Sequence, residues 1–168
     1  FFAVEKQGNT YELFQDGSEL ISNNPKFQKY KGKLDLSFTS PPYFNREQYS
    51  QDENQSFKAY SEYEDWRDSF LRPTLTTIYE YLNNDRYILW NIADIKIGKS
   101  IYFPLEQDSI DILQSLGGEY KGKLKMTMAA MIGANVNKRE SIETGMKNLV
   151  QVGNTWYKYE PIFVFHKK

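Results

Sequence analysis

Cysteine is absent from the 168 residues, which excludes disulfides, thiolate zinc sites and cysteine nucleophiles. That absence fits a reducing compartment, and a cytoplasmic protein is expected. No apolar run approaches the roughly 18 residues of a membrane-spanning helix, so no membrane partner is expected. Histidine occurs once, at His166, where the end of an apolar run gives it a structural setting rather than a catalytic one. Charge of one sign is lacking too. A net charge of −1 provides no global field to attract nucleic acid. Any phosphate contacts must come from local groups: Lys26, Lys29, Lys31 and Lys33; Lys121, Lys123 and Lys125; or Lys138, Arg139 and Lys147. Glycine is scattered, with Gly117-Gly118 standing where a helix is expected to stop.

Apolar residues make up 40% of the chain and aromatics 16%, enough for one globular domain over residues 1–168 with a sizeable core. With 13 tyrosines and 11 phenylalanines, most rings are expected in packing and a few on a ligand.

The most informative stretch is Leu34 to Phe44, Leu-Asp-Leu-Ser-Phe-Thr-Ser-Pro-Pro-Tyr-Phe. An apolar run ends at two prolines, which fix φ and lack an N–H, so neither helix nor interior strand continues through them. Such a loop holds a hydroxyl, a carbonyl and a ring in fixed relative positions. Before it, Tyr11 to Phe14 reads as a short strand and Asp16-Gly17 as a turn, with Ser18 placed to cap a short helix over 19–23. After it comes a polar segment over 45–59. Ser61 to Glu64 fits a capping box. Tyr63, Trp66 and Phe70 form one stripe. Pro73 implies a kink or the first turn of a new helix ending at Leu82. Arg86 to Ile92 reads as a buried parallel strand, Leu105 to Leu116 as a helix, and Lys123 to Ile132 and Trp156 to His166 as strands. Strands alternating with helices argue for an open, largely parallel α/β sheet whose last two strands lack a helix between them. Ligands in such sheets sit beyond the carboxyl ends of the strands, where Asp16, the Ser40 loop, Asn91 and Asp94 are expected.

Asp35-Leu-Ser-Phe-Thr-Ser40-Pro-Pro-Tyr43 resembles the catalytic motif of the amino-directed DNA methyltransferases. The resemblance covers about Tyr11 to Lys167. It implies a Rossmann-like α/β fold with an antiparallel C-terminal hairpin. It also implies S-adenosylmethionine as cofactor, and methylation of adenine N6 or cytosine N4 in double-stranded DNA, on a base flipped out of the helix. Ser40, Pro41, Pro42 and Tyr43 become the catalytic residues. Asp16 and Ser18 become cofactor-binding, being similar to the family's acidic segment. Phe44 and Tyr49 become substrate-binding. A separate specificity or restriction subunit is a further implied partner. The family's glycine-rich cofactor loop, Phe-x-Gly-x-Gly, has no counterpart here. In the usual order of segments it is expected upstream of Phe1, as a missing N-terminal part, and in a permuted order it follows Lys168.

The chemistry independently suits these residue types. A nucleobase amine is a poor nucleophile because its lone pair is delocalised into the ring. Two acceptors on its hydrogens favour a pyramidal nitrogen and act on charge that develops during attack. Tyr43 would stack on the extruded base. No metal ion or covalent intermediate is needed, and Ser40 would be an acceptor and not a nucleophile. Two other readings stand beside this one. The chain could be a methyltransferase acting on RNA or a protein glutamine, or a non-catalytic binding subunit that keeps the fold.

Overall fold

The computed structural model describes residues 10–44, 56–97, 100–128 and 148–168. Its main sheet is built outward from two parallel strands, β1 (Leu34–Thr39) and β2 (Leu82–Asn91). Strand β7 (Thr155–Lys167) runs antiparallel to β2, and β5 (Glu119–Thr127) antiparallel to β7. The order is β1-β2-β7-β5, so β1, β2 and β5 point one way and β7 lies reversed between the last two. Two antiparallel hairpins complete the strands. In one, β6 (Leu149–Val152) turns into β7 through Gly153, whose φ of +61 suits a residue without Cβ. In the other, β3 (Ile95–Ile97) pairs with β4 (Ile101–Phe103).

Alternation along the strands separates two faces. Ile88 and Trp90 of β2 and Phe163 and Phe165 of β7 are fully or almost fully buried. They share one apolar cluster with Leu71, Leu75, Leu105, Ile112 and Leu113 of the helical layer. That layer consists of α3 (Tyr63–Trp66), a widened π-type turn over Arg67–Leu71, α4 (Arg72–Tyr81) and α5 (Leu105–Ser115). Two shorter helices, α1 (Pro25–Gln28) and α2 (Ser56–Ala59), flank it in sequence. The opposite face carries the residues that alternate with the core set: Leu36 and Phe38, then Tyr87, Val164, Leu124 and Met126 in matching register. Leu36 and Phe38 are 55% and 61% exposed.

The widened turn has a local cause. Pro73 has no N–H to donate to the carbonyl four residues back. The turn just before it uses a longer span instead, with the Arg72 N–H donating to the Arg67 carbonyl. Pro73 accordingly sits in the first turn of α4, the second of the two arrangements expected for it.

Several local expectations are corrected. Tyr11 to Phe14 forms no strand; Tyr11 and Leu13 are exposed, and a short apolar run without a pairing partner gains little from extension. The capping box at Ser61 is not formed. The residue preceding α3 is Glu62, with no side-chain cap. Ser18 caps no helix either. The 3₁₀ turn Ile21–Asn23 starts behind Leu20, and Ser18 bonds elsewhere. Strand β5 starts at Glu119 rather than 123 and ends at Thr127, and residues 129–132 of the expected strand lie outside the described residues.

Candidate functional site

The carboxyl ends of β1 and β2 lie side by side. Thr39 is in register with Trp90, which brings Ser40 beside Asn91 at the point where the prolines stop β1. Ser40 is exposed, Pro41 is buried, and Pro42 and Tyr43 are half-buried. The loop is therefore anchored by its apolar members and presents its hydroxyl outward. Tyr43 packs against the main core cluster.

Three supports fix this strand end. The Trp90 indole, wholly buried, donates to Ser109 Oγ at 3.0 Å, and Ser109 donates to the Leu105 carbonyl at 2.7 Å. Strand β2 is thus tied to α5 directly beneath the loop. Asn91, also buried, donates from Nδ2 to the Pro161 carbonyl at 2.9 Å. That bond partners a carbonyl of β7 belonging to a residue that cannot itself donate. Asp94, just beyond β2, accepts from the Glu106 N–H at 2.9 Å and from the Tyr102 hydroxyl. Its carboxylate therefore caps the start of α5, which accounts for its place at the strand end. The bond to Asp94, followed by partial burial, pushes the Tyr102 hydroxyl up to about 12. Tyr63 is shifted the same way, first by burial and then by its bond to Asp108.

A cavity of about 400 Å³ opens beside β1. Ser40, Pro41 and Pro42 form its rim with Ser18, and Trp90, Phe27 and Tyr81 contribute apolar surface. Ser18 is held there by a 3.0 Å bond between its hydroxyl and that of Thr74 in α4. The structure thus brings Ser18 and the Ser40 loop around one space. Asp16 is exposed, receives a 2.6 Å bond from Asn24 Nδ2, and lines a separate polar recess with Glu12, Lys26 and Lys29. Phe44, expected to meet the substrate, is only 3% exposed. Its ring packs against Tyr63, Trp66 and Phe103 at centroid distances of 5.5, 5.7 and 5.1 Å. An aromatic residue directly after a stiff loop has the core within reach, and burial outweighs display. Tyr49 lies outside the described residues, as does most of the polar segment following Phe44. His166 is at the opposite end of the sheet, in register with Tyr87 and 2.8 Å from Asp85. Thr74 and Ser109 carry no signal in the sequence. Both are small hydroxyl residues inside helices, and nothing in their spacing separates them from ordinary helix positions.

The DNA methylase family profile, N6_N4_Mtase, matches residues 34–168, from the first residue of β1 to the end of the chain. The chain belongs to the DNA methylase family. No curated protein matches it individually. Among solved structures it is similar to a candidate DNA modification methylase of Thermus thermophilus, with TM-score 0.54 and 15% identity over 90% of this chain and 50% of that one. The form of that protein complexed with S-adenosyl-L-methionine gives TM-score 0.53 and 16% identity over 89% and 52% of the two chains. The PvuII DNA methyltransferase, cytosine-N4-specific, is also similar, with TM-score 0.48 and 15% identity over 82% and 44%. At such identities the likeness concerns the fold. This family member spans about half the length of the structures it matches. Among the described residues, no helix is long and apolar enough to cross a membrane.

Proposed function

We propose that this chain carries the base-gripping part of an S-adenosylmethionine-dependent DNA methyltransferase that modifies an exocyclic amine, adenine N6 or cytosine N4. The observation that carries this reading is the Ser40-Pro41-Pro42-Tyr43 loop at the carboxyl end of β1, beside the parallel strand β2 and the cavity it rims. Ser40 Oγ, exposed, accepts one hydrogen of the target amine, and the Pro41 carbonyl accepts the other. Both acceptors strengthen as positive charge develops on the nitrogen. The prolines keep them from relaxing away, and this rigidity serves orientation. Tyr43 stacks on a base taken out of the duplex, since the amine is out of reach within it.

The residues present suit the cofactor's nucleoside end by chemistry. Hydroxyls of Ser18 and Ser40 stand in an otherwise largely apolar cavity of about 400 Å³. Asp16 offers an exposed carboxylate, one oxygen engaged by Asn24, on the recess separate from that cavity. Ser18 and Asp16 are the residues assigned to hold it. When bound, that cofactor supplies an electrophilic methyl sulfonium. Sequence specificity is assigned to the segments over 45–59 and 134–153, most of whose residues lie outside the described ones, or to a separate specificity or restriction subunit.

The test is transfer of tritium from labelled S-adenosylmethionine to unmethylated duplex DNA by the protein as its gene encodes it. Hydrolysis of the product then separates N4-methylcytosine from N6-methyladenine. Transfer to RNA or to protein glutamine with none to DNA would overturn the assignment of substrate.

A further inference from the structure

We infer, on the reading of the Ser40 loop as the amine-gripping site, that the β3–β4 hairpin braces this loop. Phe103 of β4 is its positioning residue, acting on Ser40 and Tyr43 through Phe44.

Chain connectivity places the hairpin. Strand β2 ends at Asn91 and β3 begins at Ile95, so the hairpin grows from the strand end that lies beside Ser40. Among the described residues β3 and β4 pair only with each other, and two three-residue strands are too little to hold a shape alone. Two attachments fix them. One is polar: Asp94 accepts from the Tyr102 hydroxyl of β4 and from the Glu106 N–H at 2.9 Å, which ties the hairpin's base to the first turn of α5. The other is apolar. Ile95 and Phe103 stand opposite each other in register, hence on one face of the hairpin, and both pack into the main cluster. The next pair on that face, Ile97 and Ile101, is 42% and 47% exposed. Contact with the rest of the molecule is therefore made by the first pair.

What Phe103 meets is the back of the loop. Its ring stacks on Tyr63 at 4.8 Å and 30°, and meets Phe44 edge-on at 5.1 Å and 81°. Phe44 and Tyr63 are themselves 5.5 Å apart, so the three rings form a closed triangle in which each holds the other two. Ring pairs have preferred geometries, and the triangle therefore fixes orientation as well as burial. Tyr63 is held in turn by its hydroxyl, which donates to Asp108 in the first turn of α5. Phe44 follows Tyr43 directly, and Pro41 and Pro42 stiffen the backbone before it. Few free torsions remain to absorb a shift of the Phe44 ring before it reaches the hydroxyl of Ser40. Orientation carries much of a direct transfer, so a small displacement there is costly. Phe103 closes the triangle from outside the main sheet and can be changed without opening the centre of the core.

The test uses Phe103→Ala and Phe103→Leu in the protein as its gene encodes it, with Ile101→Ala on the same hairpin face as reference. Single-turnover transfer from labelled S-adenosylmethionine to saturating unmethylated duplex yields a rate constant and an amplitude. The expected result is a rate constant lowered about tenfold or more in Phe103→Ala and by less in Phe103→Leu. Amplitude and DNA affinity should stay at wild-type values, and Ile101→Ala should keep the wild-type rate. A residue that only holds the fold together would lower the amplitude, by leaving fewer competent molecules, and spare the rate constant. That pattern would overturn the proposal, as would an equal loss of rate in Ile101→Ala. Phe103→Leu retains apolar volume and keeps the test decisive should Phe103→Ala fail to fold.

Hydrogen exchange supplies a reading that does not depend on activity. The amides of Ser40, Tyr43 and Phe44 should exchange faster in Phe103→Ala, while those of Ile112 and Leu113 in α5 keep their rates. Equal acceleration at both places would mark a general loss of stability and overturn the brace. Acceleration confined to the loop, in a protein that transfers no methyl group to DNA, would leave the brace standing and defeat the proposed activity instead.

Discussion

Strands β1 and β5 bound the same sheet path and point the same way, yet their exteriors are opposites. The β5 side carries Lys121, Lys123 and Lys125, and its pairing with β7 is interrupted by an irregularity between Tyr120 and Gly122. The Lys123 ammonium lies 5.9 Å from the Phe163 ring centre and that of Lys125 5.2 Å from the Tyr159 ring. Their stems cover apolar rims while their charges discourage a further strand. Gly122, with φ of +114, permits the local bend at little conformational cost. Strand β1 carries no lysine from Leu34 to Thr39, has its own irregularity only at its start, between Leu34 and Leu36, and ends in the stiff loop. Two edges of one sheet therefore differ: the β5 edge is lined with lysines, and the β1 edge, among the described residues, is left open and ends in the proposed site.

The largest expected contrast is catalytic. Ser40→Ala, at the carboxyl end of β1, should lower methyl transfer about 10²–10³-fold, the scale for losing one transition-state hydrogen bond. Thr127→Ala, at the same end of β5, should leave it essentially unchanged. Single-turnover rates with saturating DNA decide this, and equal effects would erase the distinction between the two ends. Next in size is the ring of the loop. Tyr43→Ala should weaken binding to a duplex with a mismatch at the target base by roughly 1–3 kcal/mol, the range for one lost stacking contact. Equilibrium titration measures it, and a loss equal for matched and mismatched duplexes would argue against stacking on an extruded base.

A smaller effect should follow from exchanging the characters of the edges. Lys123→Val should make the purified chain associate more strongly with rising concentration, while Phe38→Lys should reduce whatever association the bare face supports. Sedimentation velocity reads both; parallel responses would show that the lysines do not defend β5. The smallest effect concerns pH. The Glu119 carboxyl is held below its ordinary range by its bond to Lys121, with lesser contributions from Lys168. Its folded pKa being depressed, the stabilisation is present above the unfolded value of about 4.3 and is lost as pH falls through the folded value. Amide exchange near Glu119 should accelerate in that acid window, and Glu119→Gln should remove the dependence.

How much of this is legible from residues alone varies with how strongly the sequence is punctuated. The Pro-Pro stop makes the end of β1 readable, Gly117-Gly118 the end of α5, and the continuous apolar run the core of β7. Nothing comparable marks β3, β4 or β6, each three or four residues long, because such short strands exist by pairing and not by periodicity. Leu82 to Asp85 reads as the end of a helix with its turn, but β2 starts at Leu82, which pairs with Leu34, and Asn83 to Asp85 continue the strand before regular pairing begins at Arg86 and Tyr87. The cost is Asp85 at φ +59 and a jump in register between Leu34 and Leu36. At the candidate site the loop is legible because prolines act locally. Its supports are not, since the Trp90–Ser109 bond, the Ser18–Thr74 pair and the burial of Phe44 all depend on contacts distant in sequence. Phe44 is the instructive case. Alone, an aromatic residue beside a reactive loop suggests a ligand contact, whereas the surrounding rings show that it holds the loop from behind.

The widened turn before Pro73 has a consequence for how this chain tolerates insertions and deletions. Residues within it and on either side of it reach the same core: Trp66 packs on Phe44, Phe70 packs on Trp66, and Leu75 joins the same cluster. Each residue of a regular helix advances the azimuth by about 100°. Deleting one residue between Leu71 and Leu75, outside the widened turn that could absorb the change, would rotate the earlier stripe by that angle relative to the later one. The composition would hardly change, and no contact of Ser40 would be touched directly. Even so, the aromatic backing of the loop would swing out of phase with the strand it supports. Helix length here is therefore a timing element of the site, and a one-residue change would be felt at a hydroxyl roughly thirty positions away in sequence.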